Sequence, residues 1–324
     1  MTKAIALARM FGGAVGLFAA FSVFGAYPER PIRFIVPTTQ GGGADTIARN
    51  IAIRLSESWG QQVIVDNRPG ANGISGVDAA AKATPDGHTI LMTFTDHFVN
   101  PSLYKSLPFD MVKDFSPVIY VGSLPFVLAV NPAVPANSVR ELIEVAHAKP
   151  GQLNFGSAGT GGSVHLAGEL FKLMAHVEIT HVPYKGTSAA VPDLISGRIN
   201  MMFPSAITVK QFADAGRVRL LAVTGRQRTP DLPQLPTVAE AGIPGFEVGI
   251  WYGILVPART PAEIIKALNS EVGRIIGVED FRASMLKQGV TIAPGTPAEF
   301  GAFCRAEMTK WADVVKRAKI PPVN

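Results

Sequence analysis

The stretch VPTTQGGGADTIARN, residues 36–50, sets three consecutive glycines between an apolar run and a run with helical spacing. Residues 31–36 (PIRFIV) have the character of a buried strand, and residues 44–55 place apolar side chains where one face of a helix needs them. The glycines therefore fall at a strand-to-helix turn. There the first N–H groups of the helix lack intrahelical partners, and the positive end of its dipole attracts an anion. A phosphate cradle needs Gly-Lys-Ser/Thr to follow, whereas Ala44-Asp45-Thr46 follows here. A dinucleotide fingerprint counted from Gly41 and Gly43 needs a third glycine at position 46, which is Thr46. A grip for a small anion and a simple tight turn both remain open.

The first 26 residues carry Lys3 and Arg9, no acid, and an apolar run over residues 10–26. This is the pattern of a secretory signal peptide, residues 1–26, cleaved near Tyr27. An uncleaved anchor is the alternative, although the run is short for a spanning helix. The remaining chain of about 300 residues is long for one core and suggests two domains. The net charge of +5 falls to +3 without Lys3 and Arg9, and no basic run accompanies it. Nucleic acid is therefore not an expected partner. Cys304 stands alone, which rules out an intramolecular disulfide and a thiolate metal cluster and suits export to a bacterial periplasm. It lies in a segment of helical periodicity, residues 297–318, where packing is the expected role rather than nucleophilic attack.

Strand-like and helix-like segments then alternate: strand 63–65, helix 74–83, strand 89–94, and later strand 153–155, helix 163–175, strand 179–182, helix 189–195 and strand 199–203. The alternation predicts an α/β protein with mostly parallel sheets in two units. The passages GSLPFVLAVNPAVPANSVRELIEVA and VGIWYGILVPARTPAEIIKALNSEV both run from an apolar strand through a proline-rich turn into an amphipathic helix. They suggest crossovers near Gly122 and Trp251. The first domain is then discontinuous, residues 27–122 and 252–324, and the second covers residues 123–251. Ordinary α/β repetition is the alternative.

The second unit has its own glycine loop, FGSAGTGGSVHLAGELF, again between a strand and a helix. Each domain thus offers a helix N-terminus, and two facing across a cleft can hold one polar group of a ligand from each side. Ser157, Thr160 and Ser163 add hydroxyl donors, with helix capping the equal alternative for Ser163.

The chain resembles the Bug or TctC family, the substrate-binding proteins of tripartite tricarboxylate transporters. The resemblance runs from about Tyr27 to the C-terminus through YPERPIRFIVP, GGGADTIAR, VDNRPGANGISGVDAAAKATPDGHTILM, NPSLYKSLPFDMVKDFSPV, FGSAGTGGSVHLAGELF, VPYKGTSAAVPDLISGRINMMF and LPTVAEAGIPGFEVGIWYGILVPARTP. It implies a two-domain periplasmic-binding-protein fold, type II-like, with a ligand cleft between the domains. It also implies capture of a mono-, di- or tricarboxylate for delivery to membrane transporter subunits. The implied contacts are Thr38, Thr39, Gln40, Gly41, Gly42 and Gly43 in the first loop, and residues 157–163, including Ala158 and Gly161, in the second. No cofactor or metal is implied, and the protein is expected to be a monomer. The sequence departs from the family at Thr38, commonly aromatic, at Thr39 and Gln40, commonly Ala or Pro, at Pro204-Ser205, and at the stretch TDHF, residues 95–98. Thr95 and Ser205 are therefore expected at a more polar wall, and the particular ligand does not transfer.

Enzymatic readings are weaker. The Gly-x-Ser-x-Gly elbow is missing around Ser157, and His165, His176 and His181 lack the spacing of a zinc helix. His165 either meets ligand or makes a helix-face hydrogen bond. Lys185 in VPYKG either pairs with a carboxylate or braces a turn. Arg49, Arg54 and Arg68 are expected as scaffold cations, and Asp45 is expected to turn back onto local backbone rather than into an anion site. A receptor feeding a sensor is the alternative function, and a hydrolase of a small carboxylate ester the less favoured one. Sequencing the N-terminus of exported protein should find a start near residue 27; an intact Met1 in the membrane fraction would show an anchor instead.

Overall fold

The computed structural model describes residues 27–323, so the signal peptide expected over residues 1–26 lies outside the described residues. The chain begins with β1 (Ile32–Val36), α1 (Gly43–Trp59), β2 (Val63–Asn67), a 3-10 turn (Ala71–Gly73), α2 (Ile74–Ala81), β3 (Thr89–Phe94), α3 (Thr95–Leu103) and β4 (Phe115–Pro125). It continues through β5 (Val127–Val130), α4 (Val139–Ala148), β6 (Asn154–Ser157), α5 (Ser163–Ala175), β7 (Thr180–Pro183), α6 (Thr187–Ser196), β8 (Met201–Met202), α7 (Ala206–Asp214) and β9 (Arg219–Val223). The last elements are β10 (Gly249–Pro257), α8 (Ala262–Gly277), α9 (Glu279–Leu286), β11 (Thr291–Ile292) and α10 (Pro297–Arg317).

These strands form two sheets, ordered β11-β4-β10-β3-β1-β2 and β7-β6-β8-β5-β9. β1 explains the first. Ile32, Phe34, Ile35 and Val36 are all fully buried, the signature of a central strand covered on both faces. Phe34 packs with Ile47 and Ile51 of α1, while Ile35 packs with Val77 of α2.

The expectation of mostly parallel sheets needs correction. β1 pairs in parallel with β2 and β3, and β6 with β7 and β8. β10, however, is antiparallel to both β3 and β4, and β5 to both β8 and β9. The reason is connectivity. β4 leads directly into the second sheet and β10 leads back, so the two transit strands lie side by side from Gly249↔Pro125 to Pro257↔Phe115 in opposite directions. No crossover helix reverses either of them.

Both transits are pinned by threonine hydroxyls. Thr224 Oγ1 accepts from the Phe126 N–H at 2.8 Å and approaches the Val248 carbonyl at 2.6 Å. Thr95 Oγ1 donates to the Gly249 carbonyl at 3.1 Å and accepts from the Trp251 N–H at 3.0 Å. The chain thus leaves the first sheet at Phe126 and re-enters it at Gly249.

α10 joins the two halves in another way. Thr296 and Glu299 form a reciprocal capping box at its start, with Pro297 in the first turn. Phe300 and Cys304 then pack beside Leu91 and Leu255 of the first sheet. Three turns on, Trp311, Val314 and Val315 belong to the core of the second sheet, with Leu166 and Phe171. Burial pushes the Cys304 thiol far above its ordinary range, in keeping with a packing role. No helix among the described residues is long and apolar enough to cross a membrane.

Candidate functional site

Asp45, in the first turn of α1, organises the first glycine loop. Its side chain is almost fully buried. Oδ2 accepts from the Gly41 N–H at 2.8 Å and from Arg49 Nε at 2.9 Å, and Oδ1 accepts from Asn67 Nδ2 at 2.8 Å. Arg49 also reaches Asn67 Oδ1 at 2.8 Å, and Asn67 Nδ2 approaches the Thr38 carbonyl at 3.2 Å. Burial alone would raise the Asp45 carboxyl, but Arg49, the Gly41 amide and Asn67 together hold it below the usual carboxylate range. As its position in the first turn suggests, Asp45 turns back into the loop. Arg49 is its ion-paired partner.

The second loop repeats this geometry with different chemistry. Gly41 and Gly161 have φ of 83° and 86°, which favours glycine. The N-cap residues Gly42 and Gly162 have φ/ψ of −73°/168° and −75°/162°. The Gly161 N–H donates to His165 Nδ1 at 3.0 Å, the same four-residue reach that joins Gly41 to Asp45. His165 is thereby committed to the scaffold. Its Nδ1 is an acceptor, its Nε2 lies 3.7 Å from Glu169, and its ring stacks on His181 at 3.9 Å between centroids. In both loops the N–H before the cap is consumed internally, while the N–H groups of the first helical turn have no preceding turn to bond.

Ser157 is fully buried, and its Oγ lies 2.7 Å from His181 Nε2 and 3.0 Å from the Gly159 carbonyl. The contact has the components of a nucleophile and a base. Burial, with His165 beside it, pushes the His181 imidazole down to about 4, so it is neutral near pH 7. No carboxylate orients its other nitrogen among the described residues. Phe155 and His165 instead clamp the ring by stacking. Gly168 allows this packing, since a Cβ there would fall 2.1 Å from the Phe155 ring.

A third helix start, that of α3, lies between the two loops. Asp96 is in its first turn. The Ser163 hydroxyl of α5 is its polar neighbour, and the phenol of Tyr252 on β10 feels its charge. Tyr252 in turn reaches α1, where a Cβ on Gly43 would lie 2.9 Å from its hydroxyl. Gly43, Tyr252, Asp96 and Ser163 thus form a chain of neighbours from one loop to the other. Asp96 Oδ1 is shielded from solvent and makes no hydrogen bond. Burial pushes the Asp96 carboxyl up to about 6, with Ser163 opposing.

The other residues named from sequence scatter. Thr39, Gln40, Ala158 and Thr160 are exposed on the loops, and Thr38 and Gly42 are partly buried. Thr95 is fully buried, and its hydroxyl is engaged by β10. Lys185 is exposed with no ion-pair partner among the described residues, and Ser205 Oγ bonds Thr208 Oγ1 at 2.7 Å. Sequence reasoning did not place Tyr252 near the loops, and it weighed His181 only as a metal ligand and Asp96 only as a catalytic group. The unusual stretch TDHF was a usable signal for Asp96; Tyr252 and His181 carry none without the topology. A cavity of about 490 Å³ lies elsewhere, lined by Tyr120, Trp251, Phe303, Arg226 and Lys310 among others and by neither glycine loop.

A family model described as the tripartite tricarboxylate transporter family receptor matches residues 47–320. The protein BugT of Bordetella pertussis is 35% identical over 318 residues, covering 98% of this chain and 97% of BugT. Among solved structures, an R. palustris protein with adipate is 37% identical with a TM-score of 0.76, covering 92% of this chain and 100% of that one. MatC from Rhodopseudomonas palustris, with bound malate, is 29% identical with a TM-score of 0.71, covering 89% and 100%.

The raised Asp96 carboxyl fixes a sign for stability. A group whose folded-state pKa lies above its unfolded value stabilises fully below the unfolded value of 3.8 and loses that contribution as pH rises through about 6. Asp96→Asn should therefore be more stable than the parent above pH 6, by on the order of 2–3 kcal/mol, with the gain fading toward pH 4. Urea unfolding at several pH values measures it; a gain that does not depend on pH would mean that Asp96 is not held in this environment.

Proposed function

The chain belongs to the tripartite tricarboxylate transporter receptor family, and on that premise we propose that it captures a small organic carboxylate between the N-termini of α1 and α5. It is a solute-binding protein with the fold of periplasmic binding proteins. The observation that carries the proposal is the replicated loop. Gly41 and Gly161 are tied back by Asp45 and His165, so each helix presents its remaining first-turn N–H groups in a fixed direction, as an anion site requires. The Ser163 and Tyr252 hydroxyls lie beside them as further donors. The relatives solved with adipate and malate support a carboxylate as the ligand class.

The protein works in the periplasm and delivers its ligand to membrane transporter subunits. Its binding cycle involves no catalysis. Among the described residues, the Ser157–His181 pair is what favours a hydrolytic reading, and release of product from any bound ester would establish it. We take the two sheets as the cores of two domains that hinge at the paired transit strands β4 and β10, a reading supported by their separate strand orders. Ligand should close them, and a fall in the radius of gyration at saturation, measured by solution scattering, tests this; an unchanged value would favour a static pocket.

Gly42→Val tests the loop itself. A Cβ at this position meets nothing closer than 3.5 Å and the backbone φ suits any residue, so the variant should fold. Its branched side chain would nevertheless crowd the approach to the α1 N-terminus. Calorimetric titration with carboxylates should show a loss of more than about tenfold in affinity, and Ser163→Ala a loss of about 1.5–3 kcal/mol, the range for a hydrogen bond to a charged group. Parent-like binding by Gly42→Val would move the site elsewhere.

A further inference from the structure

Donors dominate the surroundings of the proposed site. The starts of α1 and α5 offer backbone N–H groups, and Ser163 and Tyr252 offer hydroxyls, all suited to a carboxylate. Asp96 breaks this pattern. It brings a carboxylate among groups arranged to receive one, next to Ser163 and Tyr252, and its Oδ1 is shielded from solvent without a hydrogen bond. An unpaired carboxylate oxygen removed from water is destabilising, and like charges held close repel, so a site meant for a plain carboxylate would not place one there. Helix capping does not account for it. The N-cap of α3 is Phe94, and Asp96 lies inside the first turn.

We propose that Asp96 is a specificity residue whose Oδ1 accepts a hydrogen bond from a hydroxyl or ammonium group on the bound acid, so that hydroxy- and amino-substituted carboxylates are preferred over unsubstituted ones. The assignment rests on the carboxylate-binding reading given above and adds the second functional group of the ligand. The chemistry divides the ligand in two. Its carboxylate meets the helix starts, Ser163 and Tyr252, which donate; its donor group meets Asp96, which accepts. Burial pushes the Asp96 carboxyl up only to about 6, which leaves it mostly ionised, and hence an acceptor, at pH 7.5. A ligand lacking the donor leaves Oδ1 unpaired, which is why discrimination by a buried polar group is far larger than discrimination by shape.

The test is calorimetric titration of the mature chain at pH 7.5 with two matched sets: succinate, L-malate and L-aspartate, and benzoate with 3-hydroxybenzoate. The parent should bind the donor-bearing members of the set it accepts at least about tenfold tighter than the unsubstituted one. Asp96→Ala should abolish this preference, chiefly by weakening the substituted acids. Asp96→Asn keeps an acceptor oxygen but no charge, and serves as the check on folding; it should retain part of the hydroxyl preference and lose most of the ammonium preference. Equal binding of substituted and unsubstituted acids by the parent overturns the assignment while leaving carboxylate binding intact. So does a preference that survives in Asp96→Ala, which would leave Asp96 with a purely structural role. Failure of the parent to bind any of the five acids overturns the assignment and the carboxylate reading together.

Discussion

The buried carboxylate of Asp45 is the constraint on which the first half of the site depends. It gathers a backbone amide, a guanidinium and a carboxamide at 2.8–2.9 Å, and these come from the loop, the helix and the end of β2. Its removal would strand all three donors at once, so the network is worth more than one bond. Arg49 compensates the charge at 2.9 Å, so the negative group behind the loop does not cancel the attraction of the helix start for an anion.

His165 does the same mechanical work in the second half without a charge partner of its own inside the loop. Its ring is fixed by stacking on His181 and by Glu169, which is itself held by Lys172 at 2.8 Å. Two unrelated side chains therefore secure nearly the same φ at Gly41 and Gly161 and nearly the same cap angles at Gly42 and Gly162, although the loops differ just before, where Gly159 has a φ of 133°. What is repeated between the halves is the direction of the N–H groups, and the residue that aims them is free to differ. This separation lets one half be tuned electrostatically without disturbing the shape of the other.

The parts of the architecture that were legible in sequence are those set by local chemistry. Glycines at positive φ, apolar spacing in α1 and α5, the scaffold role of Asp45 and Arg49, and the packing of Cys304 follow from neighbours a few residues away. The parts that were not legible depend on distant partners. Antiparallel pairing of β4 and β10 follows from where the chain returns after more than a hundred residues, which no local pattern records. α3 was hidden because Pro101 sits within it and its nine residues carry a weak apolar pattern. Thr95, plausible as a cleft hydroxyl, is captured by the β10 backbone, while its neighbour Asp96 lies beside Ser163 at the start of α5. A shift of one residue along a helix start decides which side chain the β10 backbone captures, and the sequence contains no marker of that rotation.

α10 carries a consequence for how the molecule comes apart. Because Phe300 is rooted in one core and Trp311 in the other, both fully buried, the interior of the second sheet is completed by a helix that the chain forms only after it has returned to the first. Cutting the chain at the two transits would leave the middle segment with an open socket where the Trp311 indole belongs, and large cavities of this kind cost several kcal/mol. The two halves are thus thermodynamically one unit even if they move as two bodies. Melting should proceed as one cooperative event, and a fragment confined to the middle segment would lack part of what keeps it folded.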